Sequence, residues 1–273
     1  MYGILSSREA GARFARGWFI LPIQNVACVS VVLVTVGLIF GLILGSFIVT
    51  LVVRWPALNS ALVGRSRCDH CGEKLTAREL LPLFSYFLQR RRARCCGRSI
   101  NPLHPVAEAL AAAVGLIAFG LFGRYGYASA LFGWVLLALA LFDVRHFVLP
   151  DWLNGSLLLA GLAVPLFEPS SSDRLIGALT GYILLEMVAF LYSKIKHREG
   201  LGGGDAKLLG AVGAWVGWQP LPIIILMAGV FGLATAGMLK MAGAEIRPTT
   251  RLPLGAFIAA AAWLTWIQLQ LIG

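Results

Sequence analysis

The chain has 273 residues, of which 58% are hydrophobic and only 13% charged, and its mean hydropathy is +0.79. Soluble globular domains carry about 25% charged residues, so this composition excludes an ordinary water-soluble enzyme, and its apolarity excludes intrinsic disorder. The net charge of +10 is what Lys and Arg gathered in cytoplasmic loops give a membrane protein, and it is not read as a nucleic-acid footprint.

In chain order, residues 1–25 form an N-terminal segment carrying Arg8, Arg13 and Arg16. The apolar stretch that begins near Gly17 runs to Val53, too long for a leader whose apolar core spans about 7–15 residues. Residues 26–53 are expected to form the first transmembrane helix, with Cys28 as a small packing residue. Residues 54–104 differ in kind, rich in Arg with Cys, Gly and Pro, and form the one water-facing domain. Apolar runs return at 105–122, 127–143, 153–167, 175–193, 207–218, 221–239 and 253–271. The expected fold is an all-α polytopic membrane protein of about eight transmembrane helices, with a small cytoplasmic Cys-containing domain between the first and second. The run at 207–218 is too short to cross about 30 Å of hydrocarbon at 1.5 Å per residue.

Counting charges sets the orientation. With the first span running inward, the inside segments hold 18 of the 23 Lys and Arg residues and the outside segments hold 5. The positive-inside rule then places the Cys domain in the cytoplasm and both termini outside.

Ionisable groups at membrane depth are costly and usually functional. Five acids lie in an apolar run or at its cytoplasmic rim: Glu108, Asp143, Asp151, Glu186 and Asp205. Asp143 and Asp205 both fall at cytoplasmic span ends and can meet at one depth. Asp205 closes Gly202-Gly203-Gly204, a run that disfavours helix and is expected to form a kink beside which another backbone can pass. Two carboxyls in a partly apolar site share a proton, one serving as base toward water while the other donates to a scissile carbonyl. The bland alternatives stand beside this. Asp143 and Asp151 can be interfacial charges near Arg145 and His146, and Asp205 can cap a helix beginning at Ala206. Glu108 can serve the dipole in the first turn of its span, and Glu186 can face the bundle interior, snorkel or pair. A transporter using Asp143, Glu186 and Asp205 as an ion or proton path is the rival reading.

Asp143 with Leu149-Pro150-Asp151, Gly200 to Lys207 with its G-x-G-D core, and Gly213-Ala214-Trp215 together resemble the type IV prepilin leader peptidases. Gly45-Ser46-Phe47 with Arg54 and Pro56, Pro82-Leu83, Ser85-Tyr86, Pro105, Glu108 and Pro253-Leu254-Gly255 fit the same family, over essentially residues 35–265. The resemblance implies a multi-pass protein of the bacterial inner membrane whose active site faces the cytoplasm. It implies cleavage of basic leaders from prepilins and pseudopilins, with Asp143 and Asp205 as the catalytic pair in a membrane-embedded peptidase core at 105–273. Gly202, Gly203, Gly204, Lys207, Asp151 and Glu108 fall in supporting or substrate-binding positions. Many members also N-methylate the new N-terminus with S-adenosylmethionine.

Cys68-Asp69-His70-Cys71 followed by Gly72 is a C-x-x-C knuckle able to present two thiolates to one zinc. The bifunctional family carries a second C-x-x-C, but here the segment reads Ala93-Arg94-Cys95-Cys96-Gly97. Cys96 takes the second cysteine's place, Ala93 stands where the first belongs, and Cys95 is the candidate substitute. A structural zinc on Cys68, Cys71, Cys95 and Cys96 is expected, against four reduced thiols without metal. The run Arg90-Arg91-Arg92 with Arg94 is read as a contact for anionic lipid.

Overall fold

The structure, a computed structural model, describes residues 23–56, 66–68, 70–76, 78–163, 170–196, 202–243 and 250–272. Gly200 and Leu201 of the glycine motif, and most of the N-terminal segment, lie outside the described residues, as does the side chain of Cys28. The described residues are helical, without a named strand: α1 (Ile23–Val53), α2 (Phe84–Leu88), α3 (Leu103–Phe122), α4 (Gly126–His146), α5 (Asp151–Ala163), α6 (Ser171–Lys196), α7 (Gly203–Val216), α8 (Leu221–Met241) and α9 (Leu254–Ile272). Five stretches are long and apolar enough to cross a membrane, and one of them, Leu103–His146, contains both α3 and α4. The boundaries follow the expected apolar runs closely.

Small residues decide which helices touch. Gly37, Gly41 and Gly45 recur every four residues, so they share one face of α1, and that face lies on the backbone of α3. A Cβ at Gly45 would sit 2.7 Å from Cα of Glu108, and one at Gly41 would sit 2.8 Å from Cα of Ala112. Without a hydrophobic drive between helices in lipid, such close backbone approach is a main source of association. The same device joins α6 to α7, where a Cβ at Gly181 would meet the carbonyl oxygen of Leu209 at 2.6 Å.

Helix α7 is the buried centre. At 1.5 Å per residue its 14 residues span about 21 Å, short of the hydrocarbon thickness, as the sequence led us to expect. Of its residues, Asp205, Ala206 and Leu208 to Val216 are all buried, because α5, α6 and α9 pack around it. An aromatic knot supports it from one side: Phe132 stacks on Trp215 at 4.7 Å and Trp266 meets Trp215 edge-on at 5.7 Å. The indole N–H groups of Trp215 and Trp266 donate to the Leu157 carbonyl and to Ser129 Oγ, at 2.8 and 2.9 Å. A short helix ending inside the bundle is tolerable because protein, not lipid, surrounds its ends.

Candidate active site

Three helix ends converge at one point. Asp143 comes from the last turn of α4, Asp205 from the first turn of α7, and Gly255 and Ala256 from the first turn of α9. Both acids are buried, 6% and 8% exposed. The Ala256 N–H donates to Asp143 Oδ2 at 3.0 Å, and the Gly255 N–H also bonds this carboxyl. These are amides that a helix start leaves without intrahelical partners, at the end of the helix dipole that attracts negative charge.

Gly255 brings the acids together by having no side chain. The position a Cβ would take there is 3.0 Å from Asp143 Oδ2, 3.1 Å from Asp205 Oδ1 and 2.9 Å from Cδ1 of Leu149. The two carboxyl oxygens are therefore separated by no more than the sum of the first two distances, within reach of one bridging water. Leu149 closes the apolar side of the site.

Around Asp205 the structure corrects the expected kink. Helix α7 begins at Gly203, so Gly203 and Gly204 are helical, and the N-cap is Gly202 rather than Asp205. Asp205 is the third helical residue. Its N–H donates to the Gly202 carbonyl at 3.0 Å, while the Gly202 N–H bonds its carboxyl, the N3 side-chain half of a capping box. The glycines serve close approach instead: a Cβ at Gly204 would lie 3.0 Å from Leu149, whereas Gly203 has open space around it. Gly202 and Gly203 are exposed at the start of α7, two and three residues before Asp205.

The other expected site residues divide. Asp151 opens α5 and accepts from Lys207 Nζ at 2.6 Å, an exposed pair that ties α5 to α7. Asp143 is not part of a surface cluster with Arg145 and His146, since it is buried and His146 Nε2 donates to the Val52 carbonyl at 2.7 Å. Glu186 is exposed on α6, where Tyr182 Oη donates to it at 3.4 Å, so it does not join the acidic pair. Glu108 is not in the first turn of α3, and a dipole role there is overturned. It is 6% exposed and accepts from the Leu83 N–H at 2.7 Å, away from Asp143 and Asp205. Gly255, Ala256 and Leu149 are the partners that reading single residues overlooked. Their signal was the Pro253-Leu254-Gly255 helix start and the Leu149-Pro150 step.

The four cysteines form a second centre. Their sulfurs all lie within 4.8 Å of one another, with Cys71 Sγ 3.2 Å from Cys95 Sγ and Cys68 Sγ 3.9 Å from Cys96 Sγ. A tetrahedral ion with bonds of about 2.3 Å to sulfur sets its ligands about 3.8 Å apart, so the four residues fit a metal ion. Two similar turns build the cage. The Cys68 N–H donates to the Glu73 carbonyl and the Gly72 N–H to the Cys68 carbonyl, at 2.8 and 3.0 Å. Ala93, Arg98 and Gly97 repeat both bonds at 2.8 Å each, and Gly72 and Gly97 share a positive φ of 74° and 70°. Ala93 thus occupies the place of Cys68, and Cys95 that of His70, from which its thiol still reaches the cage. Burial opposes ionisation of Cys68, but the N–H groups of Cys71 and His70 and neighbouring thiols outweigh it and bring the thiol down to about 7. The thiolate is the form that binds metal.

Two family models match the chain: the bacterial peptidase A24 N-terminal domain over residues 39–122 and the type IV leader peptidase family over residues 130–237. Among curated proteins, a prepilin leader peptidase/N-methyltransferase of Burkholderia pseudomallei (strain 1026b) is 41% identical over 209 residues, covering 75% of this chain and 67% of its own length. One from Stutzerimonas stutzeri is 34% identical over 275 residues, covering 89% and 93%. One from Dichelobacter nodosus is 38% identical over 216 residues, covering 78% and 74%. No solved structure matches the chain. With the five long apolar stretches, these relatives make the chain a multi-pass membrane protein.

Proposed function

The chain belongs to the type IV leader peptidase family, and we propose that it cleaves the leaders of prepilins or pseudopilins with Asp143 and Asp205 and N-methylates the exposed N-terminus. The observation that carries the peptidase reading is the shared approach of both carboxyl oxygens to the bare Gly255 position. Two carboxyls this close carry one proton between them. The ionised member takes a proton from water as its oxygen adds to the scissile carbonyl, and the protonated member donates to the carbonyl oxygen. As the tetrahedral adduct collapses, the C–N bond breaks, one of its hydroxyl groups returns a proton to the pair and becomes the new carbonyl, and the departing amine takes up a proton from the pair. The α9 amides hold the Asp143 carboxyl in position.

Lys207 and Asp151 are positioning residues that fix the α5–α7 junction, and Gly202 to Gly204 are the edge on which the substrate backbone lies. The Cys domain and the active site face the cytoplasm of the inner membrane, consistent with the Lys and Arg excess there. Cys68, Cys71, Cys95 and Cys96 hold zinc, a four-thiolate set with no open position, so the metal braces the domain and performs no chemistry. Exposed Arg90, Arg91, Arg92 and Arg94 contact anionic lipid headgroups. A transporter reading has no support, because Asp143 and Asp205 gather at one helix junction instead of marking a path through the bundle.

The test is incubation of the purified protein with a prepilin in detergent, read by intact mass. Asp143→Asn and Asp205→Asn should each lower cleavage by about 10³-fold or more at unchanged melting temperature. Normal cleavage by either variant overturns the assignment.

A further inference from the structure

The short helix α2 turns its apolar side outward. Phe84, Phe87 and Leu88 lie at i, i+3 and i+4, so they share one face, and with Leu81 just before them they are 49–69% exposed. Ser85, Tyr86 and Gln89 lie on the other side and line a cavity with Ser46 and Thr50 of α1 and Glu108 of α3. In a domain surrounded by water this arrangement is inside out, because a contiguous exposed apolar patch marks a surface that something covers.

The height of α2 is fixed by α3. The Leu83 N–H, at the start of α2, donates to Glu108 at 2.7 Å, and Glu108 is the sixth residue of a helix that belongs to a stretch long and apolar enough to cross a membrane. At 1.5 Å per residue it lies about 8 Å inside the end of that helix, near the layer where headgroups give way to acyl chains. Arg90, Arg91 and Arg92 follow α2 directly and are exposed. Their N–H groups donate to the Phe87, Tyr86 and Gln89 carbonyls at 3.0 Å each. The chain is thereby wound back against the end of α2, and three guanidinium groups are kept beside the apolar face.

We propose that Leu81, Phe84, Phe87 and Leu88 insert into the interfacial layer of an anionic bilayer while Arg90, Arg91 and Arg92 bind its headgroups, pinning the Cys domain to the membrane surface. This extends the headgroup contact proposed above for the arginines by an apolar wedge that such a contact does not require. Apolar side chains at the acyl boundary and cations at headgroup level are two signals that together give stable surface attachment. A protein is the competing cover, either the apolar segment of a prepilin or a second copy of this chain. The charge pattern favours lipid, because at this height a bilayer supplies an apolar layer and an anionic one side by side, matching the face and the arginines together.

The experiment places the photoreactive residue benzoylphenylalanine at Phe87 of the full-length protein. The protein is reconstituted in nanodiscs of equal parts phosphatidylcholine and phosphatidylglycerol, irradiated with and without added prepilin, and read by intact mass. The same group at Leu233 of α8, 75% exposed, and at exposed Lys74 of the Cys domain provides the lipid-facing and water-facing comparisons. Position 87 should form phospholipid adducts as position 233 does, and position 74 should not. At position 87, phosphatidylglycerol adducts should exceed phosphatidylcholine adducts at least about twofold, and the combined Arg90→Gln, Arg91→Gln and Arg92→Gln variant should return them to parity. If the Phe87 variant does not fold, the same group at Leu88 carries the test. An adduct with prepilin or with a second copy in place of lipid, equal lipid adducts at position 74, or no lipid adduct where position 233 gives one, overturns the insertion. Lipid adducts at parity with the arginines intact overturn the headgroup contact and leave the insertion standing.

Discussion

Asp143 accepts a hydrogen bond of 3.0 Å from the backbone N–H of Ala256, 113 residues further along the chain. The acid on α4 is thus oriented by the start of the last helix, through a backbone amide that every substitution except proline retains. What a substitution can change is the space beside it.

Gly255→Ala would place a methyl group where both carboxyl oxygens and Leu149 now converge, at 2.9 to 3.1 Å. The acids must part or rotate, and a displacement of about 1 Å costs about 10²-fold in rate. Cleavage should fall to that degree while the purified protein elutes and melts as the wild type does. Full activity in this variant would mean the two acids do not work across Gly255.

The Lys207–Asp151 pair is exposed, and exposed ion pairs add little to stability. Lys207→Ala should leave the melting temperature nearly unchanged while lowering kcat/KM for leader cleavage about tenfold, by loosening the α5–α7 junction beneath the acids. Steady-state kinetics beside a thermal melt separates this from simple destabilisation, which would move the melt and leave kcat/KM alone.

Cys95 reaches the metal cage from the turn position that His70 holds in the other knuckle. Cys95→Ser should lower bound zinc measured by elemental analysis, and Cys68→Ser should do the same with loss of folded yield. Adding Ala93→Cys to Cys95→Ser should restore one metal per chain, because residue 93 makes the same backbone bonds as residue 68. Zinc content unaffected by Cys95→Ser would remove that thiol from the ligand set.

Gly41 and Gly229 both lie in apolar helices but differ in what surrounds them. A Cβ at Gly41 would press on the α3 backbone, whereas Gly229 has nothing within 4 Å. Gly41→Ala should destabilise by about 1–3 kcal/mol through overpacking. Gly229→Ala should be neutral or stabilising by up to about 1 kcal/mol, the helix-propensity gain. Thermal melts in one detergent decide between them.

Much of this architecture is legible in residue order alone. Uninterrupted apolar runs marked nearly every helix, since a backbone in lipid must satisfy its hydrogen bonds internally and has few other options. Asp143 and Asp205 stood out for the same reason: charge at that depth is expensive, so its presence signals use. The short run at 207–218 was readable as unable to span, though not as the most buried helix of the bundle.

Other features depend on pieces distant in the chain. Sequence spacing suggested that Gly202 to Gly204 would break a helix, yet they begin one, because the Asp205 carboxyl accepts from the Gly202 N–H and Leu149 packs on Gly204. Glu108 read as a helix-end charge, and only the fold of the Cys segment over α3 made it a buried cavity residue. The sequence alone determined the membrane class, the helix order and which acids and thiols are the candidates for the two sites, because hydrophobic length and ionisable character are local properties. The tertiary structure decided which of them meet, because a contact such as Asp143 with Ala256, or Cys71 with Cys95, depends on how separate helices and turns pack.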